Sequence, residues 1–304
     1  MRSVRFVSTV AVVLSLVVSF VSPARSEPNP ENEPAFKKLK VQWRTDKTLP
    51  GQPVTEFFSF GQDLTDDDLK LFADYPEVRS LQLQGQKIKG SGVKHLAGLK
   101  KLERLSLAFT GITDENLKEL ANLKALKALS LLNTTITDEG IKTLVATFPD
   151  LEELWLGQNF EITDDGFKQV VAFKKLRRLH MSNSNVGDKT MEAISGMPEL
   201  RTLVVGSQVT DAGYAHIAKL PKLEQLQTSF GLTDKGLKAL GESKTLREID
   251  ISPVKTTLNG VTGMANVSKL TKIHLGFGAE PEAKIKKIKA QYPNCKFESL
   301  HIDF

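Results

Sequence analysis

The sequence predicts a curved α/β solenoid, with a parallel sheet lining the concave face and helices on the convex face. Two interleaved patterns predict it. One is Leu-x-x-Leu-x-Leu, as at Leu102, Leu105 and Leu107, then Leu126, Leu129 and Leu131, then Leu151, Leu154 and Leu156. The other is Thr-Asp with apolar residues before and after it, as at Ile136-Thr137-Asp138 and Ile162-Thr163-Asp164. Together they recur with a period of about 24 residues. A third observation agrees with them. Cys295 is the only cysteine, so no intrachain disulfide forms and the chain rests on core burial, which stacked units supply.

The elements follow in order. Arg2 and Arg5 precede an apolar run, and Ala24 and Ser26 stand just before the expected cut after Ser26, so 1–26 reads as a secretory signal peptide. Its apolar run is shorter than the ~20 residues of a spanning helix, which favours cleavage over an uncut anchor. A Pro- and Glu-rich flexible tail is expected at 27–35. The N-terminal cap and first strand occupy 36–60, where Val41, Trp43 and the cluster Phe57, Phe58 and Phe60 are expected to cover the first unit. Repeats fill 61–279. The C-terminal cap, 280–304, has a Lys-rich helix near Ala283–Tyr292 and a last strand around 296–300, with Cys295 expected to be buried in it.

Within one unit, the last two leucines of Leu-x-x-Leu-x-Leu alternate with polar residues, which is strand periodicity with one buried face. Thr113 is placed to cap a helix, with Asp114 and Glu115 in its first turn, where the helix dipole favours negative charge. Leu117, Leu120 and Leu123 follow at helical spacing and point back at the strand. The unit at Leu246 lacks Thr-Asp and contains Pro253, which cannot donate to a ladder. An irregular loop and a local change of curvature are expected over 246–269.

From about Val54 onward the pattern resembles the leucine-rich-repeat family, in the subclass whose units carry a full helix. It is most similar to secreted bacterial leucine-rich-repeat proteins with Ile-Thr-Asp-x-Gly-Leu repeats, whose usual ending Gln291-Tyr292-Pro293-Asn294-Cys295 is similar to. The cysteine-containing repeats of F-box proteins are a more distant likeness. The resemblance implies the solenoid fold and a scaffold that serves many kinds of partner.

Charge and motifs narrow the function. The formal charge is +5, and loss of Arg2, Arg5 and Arg25 with the leader takes it to +2, so nucleic-acid binding is not expected. The Thr-Asp column supplies one carboxylate per unit, each with a capping task, whereas Ca²⁺ needs several converging oxygens; Asp66, Asp67 and Asp68 read as a solvated helix start. His95 and His216 fall in helical halves. His180 and His274 point into the concave face roughly 19 Å apart at sheet spacing, too far to share a metal or a proton. Ser106, Ser130, Ser182 and Ser229 lack a nucleophile elbow, and no phosphate-binding or dinucleotide fingerprint occurs. Lys284, Lys286, Lys287 and Lys289 read as a solvated face. No cofactor, metal or catalysis is expected.

The candidate site is the concave face. Its mid-strand column reads Gln82, Ser106, Ser130, Trp155, His180, Val204, Gln227, Asp250, His274, and its flanking column Ser80, Arg104, Ala128, Glu153, Arg178, Thr202, Gln225, Glu248, Lys272. Trp155 alternates outward between Leu154 and Leu156, so the core does not need it. His180, Glu153, Arg178 and Arg104 surround it, and Phe109, Asn133, Gln158, Asn183 and Phe230 follow the strands. Trp and Arg dominate binding energy at interfaces. The sequence therefore points to a non-catalytic protein that recognises a protein or peptide partner around these residues. A carbohydrate or envelope-polymer binder, with Trp155 as platform and Gln82 and Gln227 among the hydrogen bonders, and a structural spacer remain open alternatives. The expected location is secreted or periplasmic in a bacterium, with no stable membrane insertion after cleavage; the oligomeric state stays open.

Overall fold

The computed structural model describes residues 31–49, 51–61, 63–251, 255–264, 267, 269–275 and 282–299. The expected leader, Pro253 and His301 lie outside them. No helix among the described residues is long and apolar enough to cross a membrane.

One 12-stranded sheet holds its strands in sequence order. The strands are β1 (Gln42–Thr45), β2 (Val54–Ser59), β3 (Ser80–Gln84), β4 (Arg104–Ala108), β5 (Ala128–Ser130), β6 (Glu153–Trp155), β7 (Arg178–His180), β8 (Thr202–Val204), β9 (Gln225–Gln227), β10 (Glu248–Ile251), β11 (Lys272–Leu275) and β12 (Lys296–Ser299). From β2 onward every pairing is parallel. Each strand is followed by a helical segment that carries the chain back to the same end, which is what a parallel pairing requires. The repeating leucines face these helices and are sealed: Leu105, Leu107, Leu129, Leu154 and Leu179 are at most 2 % exposed. They form one continuous core through the stack.

The first strand differs. β1 pairs antiparallel with β2, so the array starts on a hairpin, preceded by a helix at Glu33–Lys38 that begins inside the tail expected at 27–35. The hairpin's inner face and that helix close the open end of the core with aromatic rings. Phe36 lies 5.0 Å from Phe57 and 6.3 Å from Trp43, and Phe57 lies 4.8 Å from Tyr75, centroid to centroid. Phe58 and Phe60 do not share that role, contrary to expectation. They alternate to the other face, where Phe60 is 44 % exposed and the Arg44 guanidinium sits 5.3 Å above the Phe58 ring.

The helical halves are shorter than the full helix that the resemblance implies. They range from ten residues at Asp138–Thr147 to 3₁₀ turns at Asp66–Phe72 and Val93–Gly98. A unit of this length leaves few residues once the strand and two turns are made.

The Thr-Asp motif links units rather than capping only its own helix. The Thr137 amide and hydroxyl donate to the Asp114 carboxylate of the preceding unit at 3.0 and 2.6 Å, while the Thr137 hydroxyl oxygen accepts from the Glu139 amide of its own helix. The same pair of bonds joins Thr163 to Asp138, Thr210 to Asp188, Thr233 to Asp211 and Thr257 to Asp234. Asp164 serves Gly187 and Thr190. The glycine three residues after the threonine makes room for the incoming carboxylate. A Cβ added at Gly140, Gly166, Gly213, Gly236 or Gly260 would lie 2.0 to 2.4 Å from that Asp Oδ1. Asp66 belongs to the same system, accepting from the amides of Lys89, Gly90 and Gly92. Burial works against its charge, but those amides prevail and its pKa falls below the ordinary value.

In the unit at Leu246, Pro253 itself lies outside the described residues. Its second half still forms a helix, Leu258–Gly263, capped by Thr257. Leu258, buried at 3 % exposure, stands where earlier units carry Asp, so the relay of carboxylates ends there. Beyond it, the helix Glu282–Gln291 and β12 close the stack. Tyr292 is buried and its hydroxyl donates to the Val261 carbonyl at 3.0 Å. Cys295 is only partly buried against the core, less than expected; burial pushes its thiol up to about 11.

Candidate functional site

The helix-free face carries side chains in the register expected. Gln82, Ser106, Ser130, Trp155, His180, Val204, Gln227, Asp250 and His274 pair strand to strand as one column. Ser80, Arg104, Ala128, Glu153, Arg178, Thr202, Gln225, Glu248 and Lys272 form the second. β2 extends both, with Phe58 beside Gln82 and Glu56 beside Ser80.

Eight of the nine candidate residues gather on β4 to β7 as surface. Trp155 is half-buried between Ser130 and His180. Glu153 accepts from Arg178 at 3.1 Å and pairs with Arg104 at 3.6 Å. Arg104 reaches it from two strands away because Ala128, on the strand between, has only a methyl group to cross. The result is an Arg–Glu–Arg bracket with one surplus positive charge, both arginines well exposed.

Phe109, Asn133, Gln158 and Asn183 follow the same four strands. All four adopt left-handed backbone, with φ of 59°, 52°, 61° and 51°. Outside glycine this conformation is uncommon, and mild only for Asn. Three of their amides donate to the next unit's turn, Phe109 to Leu132, Asn133 to Gly157 and Gln158 to Ser182, at 2.8 to 2.9 Å. The ladder thus continues past the strands and holds four half-buried side chains in one row. Behind the row, Asn159 is 1 % exposed. Its amide nitrogen donates to the Leu131 and Leu156 carbonyls, and its oxygen accepts from Thr134.

His180 departs from expectation. It lies in the predicted column, flanked by Trp155 and Val204, but is 5 % exposed. Its Nε2 meets the Ser182 hydroxyl at 2.7 Å, and burial lowers its pKa to about 4. The ring is neutral packing beneath the face rather than a contact on it. Asp250, further along the column, is pushed upward by burial, with His274 on the next strand partly offsetting the shift. Phe230 is 49 % exposed after β9, two strands beyond this group. Arg44, Phe58 and Phe60 extend the face at its N-terminal end. The alternation of Phe57 inward with Phe58 and Phe60 outward was the signal in the sequence for them.

These observations define a leucine-rich-repeat solenoid: a parallel sheet with one face covered by helices and the other open. Comparison with solved structures agrees. An internalin from Listeria monocytogenes superposes with a TM-score of 0.52 at 16 % sequence identity, over 78 % of this chain and 71 % of that one. At that identity the likeness concerns the fold. No protein-family model and no curated protein sequence matches the chain.

Proposed function

We propose that the protein is a non-catalytic receptor that binds a protein or peptide partner on the concave face over β4 to β7. The observation that carries this reading is the coincidence on the same four strands of Trp155, the Arg104–Glu153–Arg178 bracket and the row Phe109, Asn133, Gln158, Asn183. Trp155 offers a large apolar surface that the core does not use, and the arginines offer directed donors. Four left-handed non-glycine residues in successive units, held by the ladder to the next unit, align their side chains in one row beside Trp155, and residues in such conformations cluster at binding sites. The partner surface that fits has an apolar group for Trp155, a carboxylate near the two arginines, and backbone-like donors and acceptors for the amide row. The leader pattern read at 1–26 supports a receptor that acts outside the cytoplasm, secreted or periplasmic.

The test is a pull-down from envelope and secreted fractions with the chain from Glu27 onward, beside a Trp155→Ala, Arg178→Ala double variant of verified fold. A partner held by the first and lost by the second is the expected result. Equal retention by both would move the site off this face.

A carbohydrate reading draws on one specific feature, the three amide side chains Asn133, Gln158 and Asn183 aligned beside Trp155. Binding on a glycan array that Trp155→Ala abolishes would favour it over a protein partner.

A further inference from the structure

A second site lies away from the concave centre, at the edge where the strands begin. Two columns of charged residues run along this edge. The outer reads Glu77, Lys101, Ala125, Asp150, Lys175, Glu199, Lys222, Thr245, Lys269, and the inner reads Arg79, Glu103, Lys127, Glu152, Arg177, Arg201, Glu224, Arg247, Thr271. Opposite charges on neighbouring units neutralise one another: Lys101 with Glu77, Lys175 with Asp150, Lys222 with Glu199, Arg177 with Glu152, and Arg201 with Glu224 at 2.6 Å. The pattern then runs out. Arg247 has no ion pair among the described residues, because Glu224 is taken by Arg201 and the next unit offers Thr271. Lys269 has none either, because Thr245 stands where an acid would.

The two leftover cations flank one cleft. Arg201, Lys222, Arg247 and Lys269 line it, with Glu224, Pro221 and Thr245, and its volume is about 120 Å³. That is room for several waters or for one tetrahedral oxyanion. Glu224 and Glu199 already answer Arg201 and Lys222, which leaves Arg247 and Lys269 as two unneutralised cations at the cleft, so the local field favours an anion. Thr245 adds an independent sign. Its Oγ1 is buried and lacks a hydrogen-bond partner, which native structures rarely tolerate. Thr245 lines the cleft, and a χ1 rotation that turns its hydroxyl toward an anion there would give that oxygen the partner it lacks.

We infer that this cleft binds a small oxyanion of phosphate type, free or as a monoester, through Arg247, Lys269 and the Thr245 hydroxyl, with Arg201 and Lys222 completing the positive rim. The inference is independent of the concave-face reading, since none of these residues belongs to that group.

The test is isothermal titration of the purified chain with inorganic phosphate and, separately, with glycerol 3-phosphate, in phosphate-free buffer. Saturable one-to-one binding of phosphate is expected, weakened about tenfold or more in Arg247→Gln and in Lys269→Gln, the scale of a charge-assisted hydrogen bond. Both side chains are exposed, so these variants keep the fold. Thr245→Val leaves the charge unchanged and is expected to weaken binding as well, which a general attraction to positive charge would not produce. Lys142→Gln, on a distant helix, is the unaffected control. Binding of both probes assigns a phosphate ester as ligand, and binding of phosphate alone assigns the free ion. No saturable binding, or equal binding by the Arg247→Gln, Lys269→Gln double variant, would overturn the inference.

Discussion

Replacing Gly236 with alanine sets two well-known effects against each other. Gly236 lies in the helix Asp234–Leu240, where alanine is intrinsically better by about 1 kcal/mol. Against that, the new Cβ would lie 2.4 Å from Asp211 Oδ1 and 2.7 Å from Leu232 Cδ1. The carboxylate has little freedom to yield, since it accepts from the Thr233 amide at 2.9 Å and from its hydroxyl at 2.6 Å. Losing two part-buried hydrogen bonds to a charged group costs about 3 kcal/mol at the low end of the usual range. The net expectation is destabilisation by about 2 kcal/mol, or a fall in Tm of roughly 3–4 °C for a chain of this size. Gly196→Ala is the matched control: nothing lies within 4 Å of its added Cβ, so a gain of about 0.4–1 kcal/mol is expected. Thermal and urea unfolding followed by circular dichroism read both variants. The Asp211→Ala, Gly236→Ala double variant should cost little more than Asp211→Ala alone, because the carboxylate that clashes is gone. A Gly236→Ala protein as stable as the parent would refute the account of the motif.

Other expectations follow from the same structure. Acid should destabilise the fold through His180: its pKa is lowered on folding from 6.5 to about 4, so its contribution is complete above pH ~6.5 and is lost as pH falls toward ~4, up to about 3 kcal/mol in all. His180→Gln should flatten the unfolding-versus-pH curve in that window, and an unchanged curve would contradict the assignment. Asp250 shifts the other way, so its burial costs stability once the carboxyl ionises. Asp250→Asn should raise Tm at neutral pH and lose that advantage below pH ~4, where the parent carboxyl is protonated too. Asn159→Ala removes a buried side chain with donors to two carbonyls and should cost about 3 kcal/mol by chemical denaturation; a cost under about 1 kcal/mol would show that water replaces it.

Register was legible in the sequence because it follows from alternation alone. Once Leu154 and Leu156 face the core, Trp155 must face away, and parallel pairing carries that parity from β2 to β12. Burial on the open face was not legible, because it depends on what the neighbouring strands carry. His180 has the same parity as Ser106, yet a large indole on one side and Val204 on the other take it out of solvent. The left-handed turns are hidden in the sequence for a similar reason: Phe109 and Gln158 carry no local mark of positive φ, which the ladder to the next unit imposes. Capping is a local rule and points the Asp of each Thr-Asp to its own helix, whereas its partner lies a whole unit further on. The antiparallel start at β1 had no repeat to announce it.

The direction of the carboxylate relay bears on how such a chain lengthens. Internal modules other than the one at Gly187 offer an aspartate forward and receive one from behind through a threonine, so their two junctions are alike. A tandem duplication of one whole module between Asp114 and Asp234 therefore creates no mismatched seam, and an in-frame loss of one leaves none. A fractional insertion strands a carboxylate beside a backbone that cannot answer it. Leu258 fixes the growing point: a copy placed after it would meet an apolar side chain where its threonine needs an acid, so new modules are accepted upstream of the terminal piece and never behind it.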